Sequence, residues 1–186
     1  ALLSLDRAGA RVELVAPDRP QFDVVDHAST ETDFEQSRNI LTESCRISRS
    51  RVTPLSHARV EILDAIVLPG GFGAAKNWMH GFATPGESRV VHPDVRAFVE
   101  HFLDRGKPIG VISLAEVLMT RLLDRPLRED PFSTPAGEVR QDPERNIHYC
   151  AGFMGSDHLA EVATGIERLI AAVLSVDMAI MKESGA

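Results

Sequence analysis

The sequence is poor in cysteine and has no long apolar run. Its two cysteines, Cys45 and Cys150, are too few for a disulfide framework and lack the paired spacing of a structural zinc site. Its longest apolar runs, such as residues 109–112 and 169–176, are far shorter than the roughly 20 residues that a membrane helix needs. The sequence therefore predicts no membrane partner, and the free thiols favour a reducing cytoplasm.

Clustered positive charge is also missing. Lysine and arginine number 20 against 27 acidic residues, which gives a net charge of -7, and no segment gathers the basic residues that phosphate binding requires. Nucleic acid is therefore not expected as a partner. The sequence contains neither a P-loop nor a GxGxxG motif after a strand, and its seven histidines show no HExxH or similar spacing, so we expect no nucleotide site and no metal site.

The composition is that of a folded chain, with 44% hydrophobic and 25% charged residues. A chain of this length buries roughly 70% of its unfolded surface, and we expect a single domain over residues 1–186. The first nine residues have the pattern of a helix end that stops at Gly9, without the features of a signal peptide. We therefore expect upstream sequence to be missing.

Two continuous apolar runs, residues 64–68 and 108–112, predict strands buried on both faces, at the centre of a parallel, doubly wound sheet. Residues 126–143 have no hydrophobic period and predict a Pro-rich loop. Further strands are predicted at residues 11–16, 22–26 and 146–150, and helices at residues 35–48, 93–106, 114–123 and 157–181.

Ligands of such sheets bind outside the carboxyl ends of the strands, and three segments at these ends are candidate binding or catalytic sites. Residues 69–77 form a glycine-rich turn that either holds an oxyanion with backbone N–H groups or is only a tight connection. Ser113 lies where a strand becomes a helix, as a nucleophile on a sharp elbow or as a helix N-cap. Cys150 ends the last strand, as a small buried hydrophobe or, less commonly, as a reactive thiol.

Several stretches in chain order resemble the ElbB family, also described as enhancing lycopene biosynthesis or sigma cross-reacting proteins, within the ThiJ/PfpI, class I glutamine amidotransferase-like superfamily. The most specific are SRNILTES at residues 37–44 and PGGFGAAKN at residues 69–77. The other matching stretches are residues 16–18, 24–27, 82–83, 106–110 and 164–166.

The resemblance implies a flavodoxin-like, three-layer α/β sandwich with a parallel central sheet, from which the first strand is missing here. It also implies glyoxalase-like conversion of methylglyoxal-type 2-oxoaldehydes to hydroxy acids without a cofactor, through a hemithioacetal on cysteine. By position, Ser113 would be the nucleophile and Gly71 and Leu114 would donate oxyanion N–H groups. Substrate contacts would come from Gly70, Phe72, Gly73, Asn77 and Cys150.

The sequence departs from the family pattern at the elbow, where Cys-Ile-Ala-Pro is replaced by Ser113 to Glu116. The strand that carries the family's catalytic glutamate is absent, and residues 129–137 replace a longer segment. Two hypotheses remain: an enzyme of weak or altered activity on small reactive carbonyls, and a non-catalytic binding or regulatory module. Whether the chain is an enzyme stays open, although the missing thiol and base favour the module. We also expect a homodimer, because the shortened fold exposes apolar surface and the relatives look dimeric.

Overall fold

The computed structural model describes residues 1–124 and 134–175. The strands are β1 (Val15–Ala16), β2 (Val25–Asp26), β3 (Glu31–Thr32), β4 (Thr53–Pro54), β5 (Ile66–Leu68), β6 (Met79–His80), β7 (Val90–Val91), β8 (Ile109–Ile112), β9 (Arg140–Asp142) and β10 (Ile147–Cys150). The α-helices are α1 (Leu2–Arg7), α2 (Ile40–Ser48), α3 (Phe72–Trp78), α4 (Pro93–Leu103), α5 (Ala115–Leu123) and α6 (Leu159–Leu174).

A four-stranded sheet in the order β5-β8-β10-β9 forms the centre of the fold. Strand β8 pairs in parallel with β5 and with β10, and Ile109 lies opposite both Ile66 and Ile147. Strand β9 adds to β10 in the antiparallel direction. The carboxyl ends of β5, β8 and β10 therefore lie side by side at one edge of the sheet.

Helices cover both faces of this sheet. On one face, Phe102 of α4 and Leu118 of α5 join a core with Val111 of β8. On the other face, Leu169 of α6 packs with Ile112, and α1 contacts α6. The expected three-layer α/β sandwich with a parallel sheet is confirmed.

The smaller sheets lie outside this core. Strands β1 and β4 pair in parallel, and α2 packs beside them through Ile40. Strands β2 and β3 form one antiparallel ribbon, and β6 and β7 form another. The strands predicted at residues 11–16 and 22–26 are therefore shorter than expected, and the second belongs to a local ribbon instead of the parallel sheet.

The prediction that residues 64–68 form a central strand is wrong for the described sheet, because β5 pairs only with β8 and lies at the edge. Ile66 and Leu68 are nevertheless 7% exposed, since helices cover the sheet there. Burial of both faces produces an apolar run whether or not a strand has two neighbours. The companion prediction is confirmed, because β8 is central and all four of its residues are buried.

The prediction of a loop over residues 126–143 is wrong at its end, where Arg140–Asp142 forms β9. This strand is polar and largely exposed, so its pairing with β10 leaves no apolar pattern in the sequence. Residues 126–133 of the predicted loop lie outside the described residues. So does residue 181, the predicted end of the last helix, which is described as far as Leu174.

The remaining helices follow the predicted pattern with shorter bounds. Helix α2 begins after Asn39, whose side chain accepts a hydrogen bond from the Thr42 amide at 3.0 Å. Helix α4 has Pro93 in its first turn, and Gly9 follows α1 with a φ of 69°. Among residues 1–124 and 134–175, no helix is long and apolar enough to cross a membrane.

Candidate functional site

The ends of β5, β8 and β10 bring three turns together. Gly70 and Gly71 follow β5, Ser113 follows β8, and Gly152 follows β10 after a single residue. Because β8 lies between the other two strands, Ser113 occupies the middle position. We call these three turns the elbow cleft.

Ser113 has the backbone of a sharp strand-to-helix elbow. Its φ of 53° lies in the left-handed region that a residue other than glycine seldom adopts. Its N–H donates to the carbonyl oxygen of Cys150 at 2.9 Å, and its carbonyl accepts from the Glu116 N–H at 3.1 Å. These bonds hold the backbone in the strained form and leave the side chain half-buried at the junction.

The alternative role of Ser113 as a helix cap is not supported. Leu114 occupies the N-cap position of α5, and no side chain makes a capping hydrogen bond there. Within residues 1–124 and 134–175, the Ser113 hydroxyl has no hydrogen bond with any carboxylate or imidazole. Among these residues, no base that could remove its proton is in contact with it.

Gly70 lets the first turn approach the elbow closely. A Cβ atom at this position would overlap the carbonyl oxygen of Ile112 and lie 2.7 Å from the backbone nitrogens of both Leu114 and Ala115. The expected place of Gly70 beside the elbow is thus observed. Gly71 has a φ of 146° and occupies the N-cap position of α3, which follows the turn directly.

Gly152 contributes to the same cleft, although it was not among the predicted site residues. Its φ is 56°, and a Cβ atom built on it would lie 3.3 Å from the Ser113 Cβ and 3.9 Å from its Oγ. The sequence signal was a glycine just after a strand end, the same signal that marked Gly70. Any larger residue at this position would narrow the space around the hydroxyl.

Phe72 and Gly73 lie in the first turn of α3, immediately after Gly71. The Phe72 side chain is 69% exposed, and nothing lies within 4 Å of the position that a Cβ on Gly73 would take. Both residues are therefore free of internal packing beside the cleft. Whether they contact a substrate stays a prediction.

The Asn77 side chain makes two hydrogen bonds within the protein. Its amide nitrogen donates to the Gly73 carbonyl at 2.7 Å, and its amide oxygen accepts from the Phe22 N–H at 2.7 Å. Asn77 thus ties the start of α3 to the segment before β2, and its contact with a substrate stays an untested prediction.

Cys150 is not part of the cleft. Its side chain is fully buried in the core between the sheet and α6, beside Ile112 and Leu169. Burial raises the pKa of its thiol to about 11. A thiol in this state is neutral near pH 7 and is a poor nucleophile. This burial agrees with the alternative of a small buried hydrophobe, and a contact of Cys150 with substrate stays an untested prediction.

Glu116 is the carboxylate that enters the first turn of α5, and it is 7% exposed. It lies three residues beyond Ser113, but the two side chains share no hydrogen bond. In the described part of the chain, no three His, Cys, Asp or Glu side chains lie together as metal ligands would. A separate surface depression of about 240 Å³, lined by residues between 24 and 38, shares no residue with the elbow cleft.

A solved structure decides the family. The chain superposes on an isoprenoid biosynthesis protein with an amidotransferase-like domain from Ehrlichia chaffeensis with a TM-score of 0.85 and 30% sequence identity. The match covers 94% of this chain and 88% of the other. The chain belongs to the amidotransferase-like superfamily.

Curated proteins agree with this assignment to the amidotransferase-like superfamily. The chain is 43% identical over 122 residues to the human mitochondrial glutamine amidotransferase-like class 1 domain-containing protein 3. It is 41% identical over 122 residues to the rat mitochondrial ES1 protein homolog, and 34% identical over 123 residues to the zebrafish mitochondrial ES1 protein. These matches cover 66%, 66% and 64% of this chain but only 45%, 46% and 45% of the relatives, so the chain spans about half their length. No protein-family model matches the chain.

The relatives correct one prediction. All three carry the word mitochondrial in their names, which conflicts with the cytoplasmic location inferred from the free cysteines. Cysteine usage separates reducing from oxidising surroundings, and it does not distinguish one reducing compartment from another.

Proposed function

We propose that the elbow cleft binds a small carbonyl compound of the 2-oxoaldehyde type and that this chain turns it over weakly or not at all. The proposal places the chain in the ElbB-type branch of its superfamily, on the residues 37–44 and 69–77 quoted above. Because the chain spans about half of its curated relatives, the proposal concerns this cleft and not a whole longer protein.

The backbone conformation of Ser113 supports the proposal that the elbow cleft binds a ligand. A φ of 53° at a strand-to-helix junction is strained, and such strain is kept where the surrounding structure needs a side chain exposed at one point. The start of α5 adds partial positive charge beside it, which favours the oxygen of a polarised carbonyl.

The surroundings of the Ser113 hydroxyl support the proposal that turnover is weak or absent. A serine is a weak nucleophile at its ordinary pKa and needs a hydrogen-bonded base to act. Among the described residues no base contacts its oxygen, whereas a thiol at the same place would ionise far more readily. The second candidate function, a non-catalytic binding or regulatory module, rests on this same observation.

Turnover is tested with methylglyoxal and purified protein. We expect the unaltered chain to form hydroxy acid no faster than Ser113→Ala, with the exposed Ser50→Ala as the matched control for the loss of a hydroxyl. Product would be followed by chromatography over many equivalents of substrate. Sustained turnover that Ser113→Ala abolishes would eliminate the non-catalytic module.

Binding is tested with a thiol placed at the elbow. We expect Ser113→Cys to react with iodoacetamide faster than Cys45, because the start of α5 favours a thiolate, although the nearby Glu116 carboxylate opposes this effect. Lactate, the hydroxy acid derived from methylglyoxal, should slow the labelling. A Ser113→Cys thiol that reacts no faster than Cys45, or that lactate does not protect, would contradict a binding cleft at the elbow.

A further inference from the structure

Two histidines face each other on the ribbon formed by β6 and β7, outside the elbow cleft. His80 ends β6, and His92 follows β7 directly before α4. Their ring centroids are 3.9 Å apart with an angle of 58° between the planes. Backbone pairing fixes this approach, since Met79 lies opposite Val91 and the His92 N–H donates to the Trp78 carbonyl at 3.0 Å.

An arginine ties a distant segment to the same place. Arg19, in the connection after β1, donates to the Asp94 carboxylate at 2.8 Å and to the Asn77 carbonyl at 3.0 Å. Three residues later, the Phe22 N–H donates to the Asn77 side chain at 2.7 Å. We call these contacts of Arg19 and Phe22 with Asp94 and Asn77 the Arg19 attachment.

The Arg19 attachment reaches the elbow cleft through one residue. Asn77, which accepts from both Arg19 and Phe22, also donates to the carbonyl of Gly73 at 2.7 Å. Gly73 lies two residues after Gly71 in the first turn of α3. Loss of the attachment would therefore remove support from the helix that follows the Gly70–Gly71 turn.

The charges around His92 are unbalanced when it is protonated. Burial, the positive charge of Arg19 and the neighbouring His80 lower the pKa of His92, and only Asp94 acts to raise it. Burial raises the pKa of Asp94, but the hydrogen bond and the charge of Arg19 outweigh this and leave it below its ordinary value. The Asp94 carboxylate that favours a protonated His92 is thus already paired with Arg19.

We propose that protonation of His92, whose ring faces that of His80, releases the Arg19 attachment, so that acid loosens the segment around Arg19 and Phe22 on α3 and α4, where the Lys76–Asp23 ion pair remains. A protonated His92 repels Arg19 and competes with it for the Asp94 carboxylate. The inference does not depend on the proposed function of the elbow cleft.

The direction of the pH effect follows from the lowered pKa of His92. Release removes the positive charge of Arg19 from beside His92, so the released form binds the proton more readily, and the attached form loses stability as the pH falls below the ordinary histidine pKa of 6.5. The loss continues until the pH passes the lower pKa of the attached form. Acidification therefore favours release, and alkaline pH favours attachment.

Trp78, the single tryptophan of the chain, is joined to the histidine pair through the backbone, because its carbonyl accepts from the backbone N–H of His92, and its emission serves as the probe of protonation. We expect its emission to change in one step with a midpoint below pH 6.5 in the unaltered chain. The step should be absent in His92→Asn and unchanged in His57→Asn, which alters an exposed histidine on another segment. Persistence of the step in His92→Asn would overturn the proposal.

Release itself is measured by hydrogen exchange of the Phe22 amide, corrected for the intrinsic effect of pH. We expect its protection to fall by about tenfold between pH 7.5 and pH 5.5 in the unaltered chain and to stay high in His92→Asn. Arg19→Gln should show low protection at both pH values while it keeps the tryptophan step. Equal protection at both pH values in the unaltered chain would show that His92 titrates without releasing the segment, and the proposal would fail.

Discussion

Gly70 brings the turn after β5 into direct contact with the turn after β8. The position of its missing Cβ is occupied by the Ile112 carbonyl oxygen and bordered by the backbone nitrogens of Leu114 and Ala115. These neighbours are backbone atoms of a strand end and a helix start, which cannot rotate away as a flexible side chain would. The shape of the elbow cleft therefore depends on a methyl group being absent.

We expect Gly70→Ala to lower the free energy of unfolding by about 1–3 kcal/mol, or more, because the methyl group must displace backbone. Gly73→Ala is the matched control, since nothing lies within 4 Å of the position that its Cβ would take, and alanine favours a helix by up to about 1 kcal/mol over glycine. Urea unfolding of both variants measures the difference. Equal stabilities would mean that the two turns are not in contact.

Single residues also show where prediction from the sequence ends. The positions of Ser113 and Gly70 at the ends of strands could be predicted, because the end of a buried strand is visible in the sequence as the end of an apolar run. The surroundings of Asn77 and Cys150 could not be predicted, because each depends on a partner far away in the chain. The Phe22 N–H donates to the Asn77 side chain, and α6 covers the Cys150 thiol. No local pattern carries that information.

Elements with a strong apolar period were predictable, and polar ones were not. Strand β8 and helices α4 and α6 lie where their apolar residues placed them, since burial on one or two faces imposes the period. Strand β9 was missed because it is an exposed addition at a sheet edge, held by backbone bonds to β10 that any side chain permits. Strand β5 was found, but its place at an edge depends on pairing and not on composition.

Helix α6 packs closely against residues 134–137, and this contact predicts how substitutions in α6 change stability. A Cβ on Gly165 of α6 would overlap the Ala136 carbonyl oxygen, and Arg168 donates to the Gly137 carbonyl at 2.6 Å. Glycine within a helix normally costs about 1 kcal/mol relative to alanine, so its presence here marks a close approach.

We expect Gly165→Ala to destabilise the protein by about 1–3 kcal/mol, because the overlap exceeds the gain in helix propensity. Ala163→Gly, at an exposed position of the same helix, should cost about 1 kcal/mol through propensity alone. Thermal and urea unfolding of both variants provide the measurement. If Gly165→Ala stabilised the protein, residues 134–137 would not pack against α6 as described.

At the scale of the whole molecule, the superfamily could be predicted from the sequence. Self-association is still a proposal. Two specific stretches and the order of the weaker ones carried the resemblance, and the solved relative confirmed it at the level of the superfamily. The expectation of one domain over residues 1–186 stays a prediction. Cellular location could not be predicted correctly, because it is not encoded in the packing of the folded chain.

The structure supports self-association through exposed apolar side chains on separate elements. Leu3 of α1 is 61% exposed, Ile47 of α2 is 87% exposed, and Phe34 after β3 is 92% exposed. Single exposed apolar residues are ordinary, but large aliphatic and aromatic side chains at such exposure also mark interfaces. Among the described strands, the outer edge of β5 is unpaired as well, and open edges are places where chains pair.

We expect light scattering at micromolar concentration to give twice the mass of one chain, as in a symmetric dimer. Leu3→Glu, Phe34→Glu and Ile47→Glu place a charge on each exposed site in turn, and the variant that restores the mass of one chain identifies the interface. A charge at a site outside the interface should leave the mass unchanged, so each variant is a control for the others. If the unaltered chain gives the mass of a single chain, the homodimer is wrong, and these side chains are exposed without a second copy of the chain to cover them.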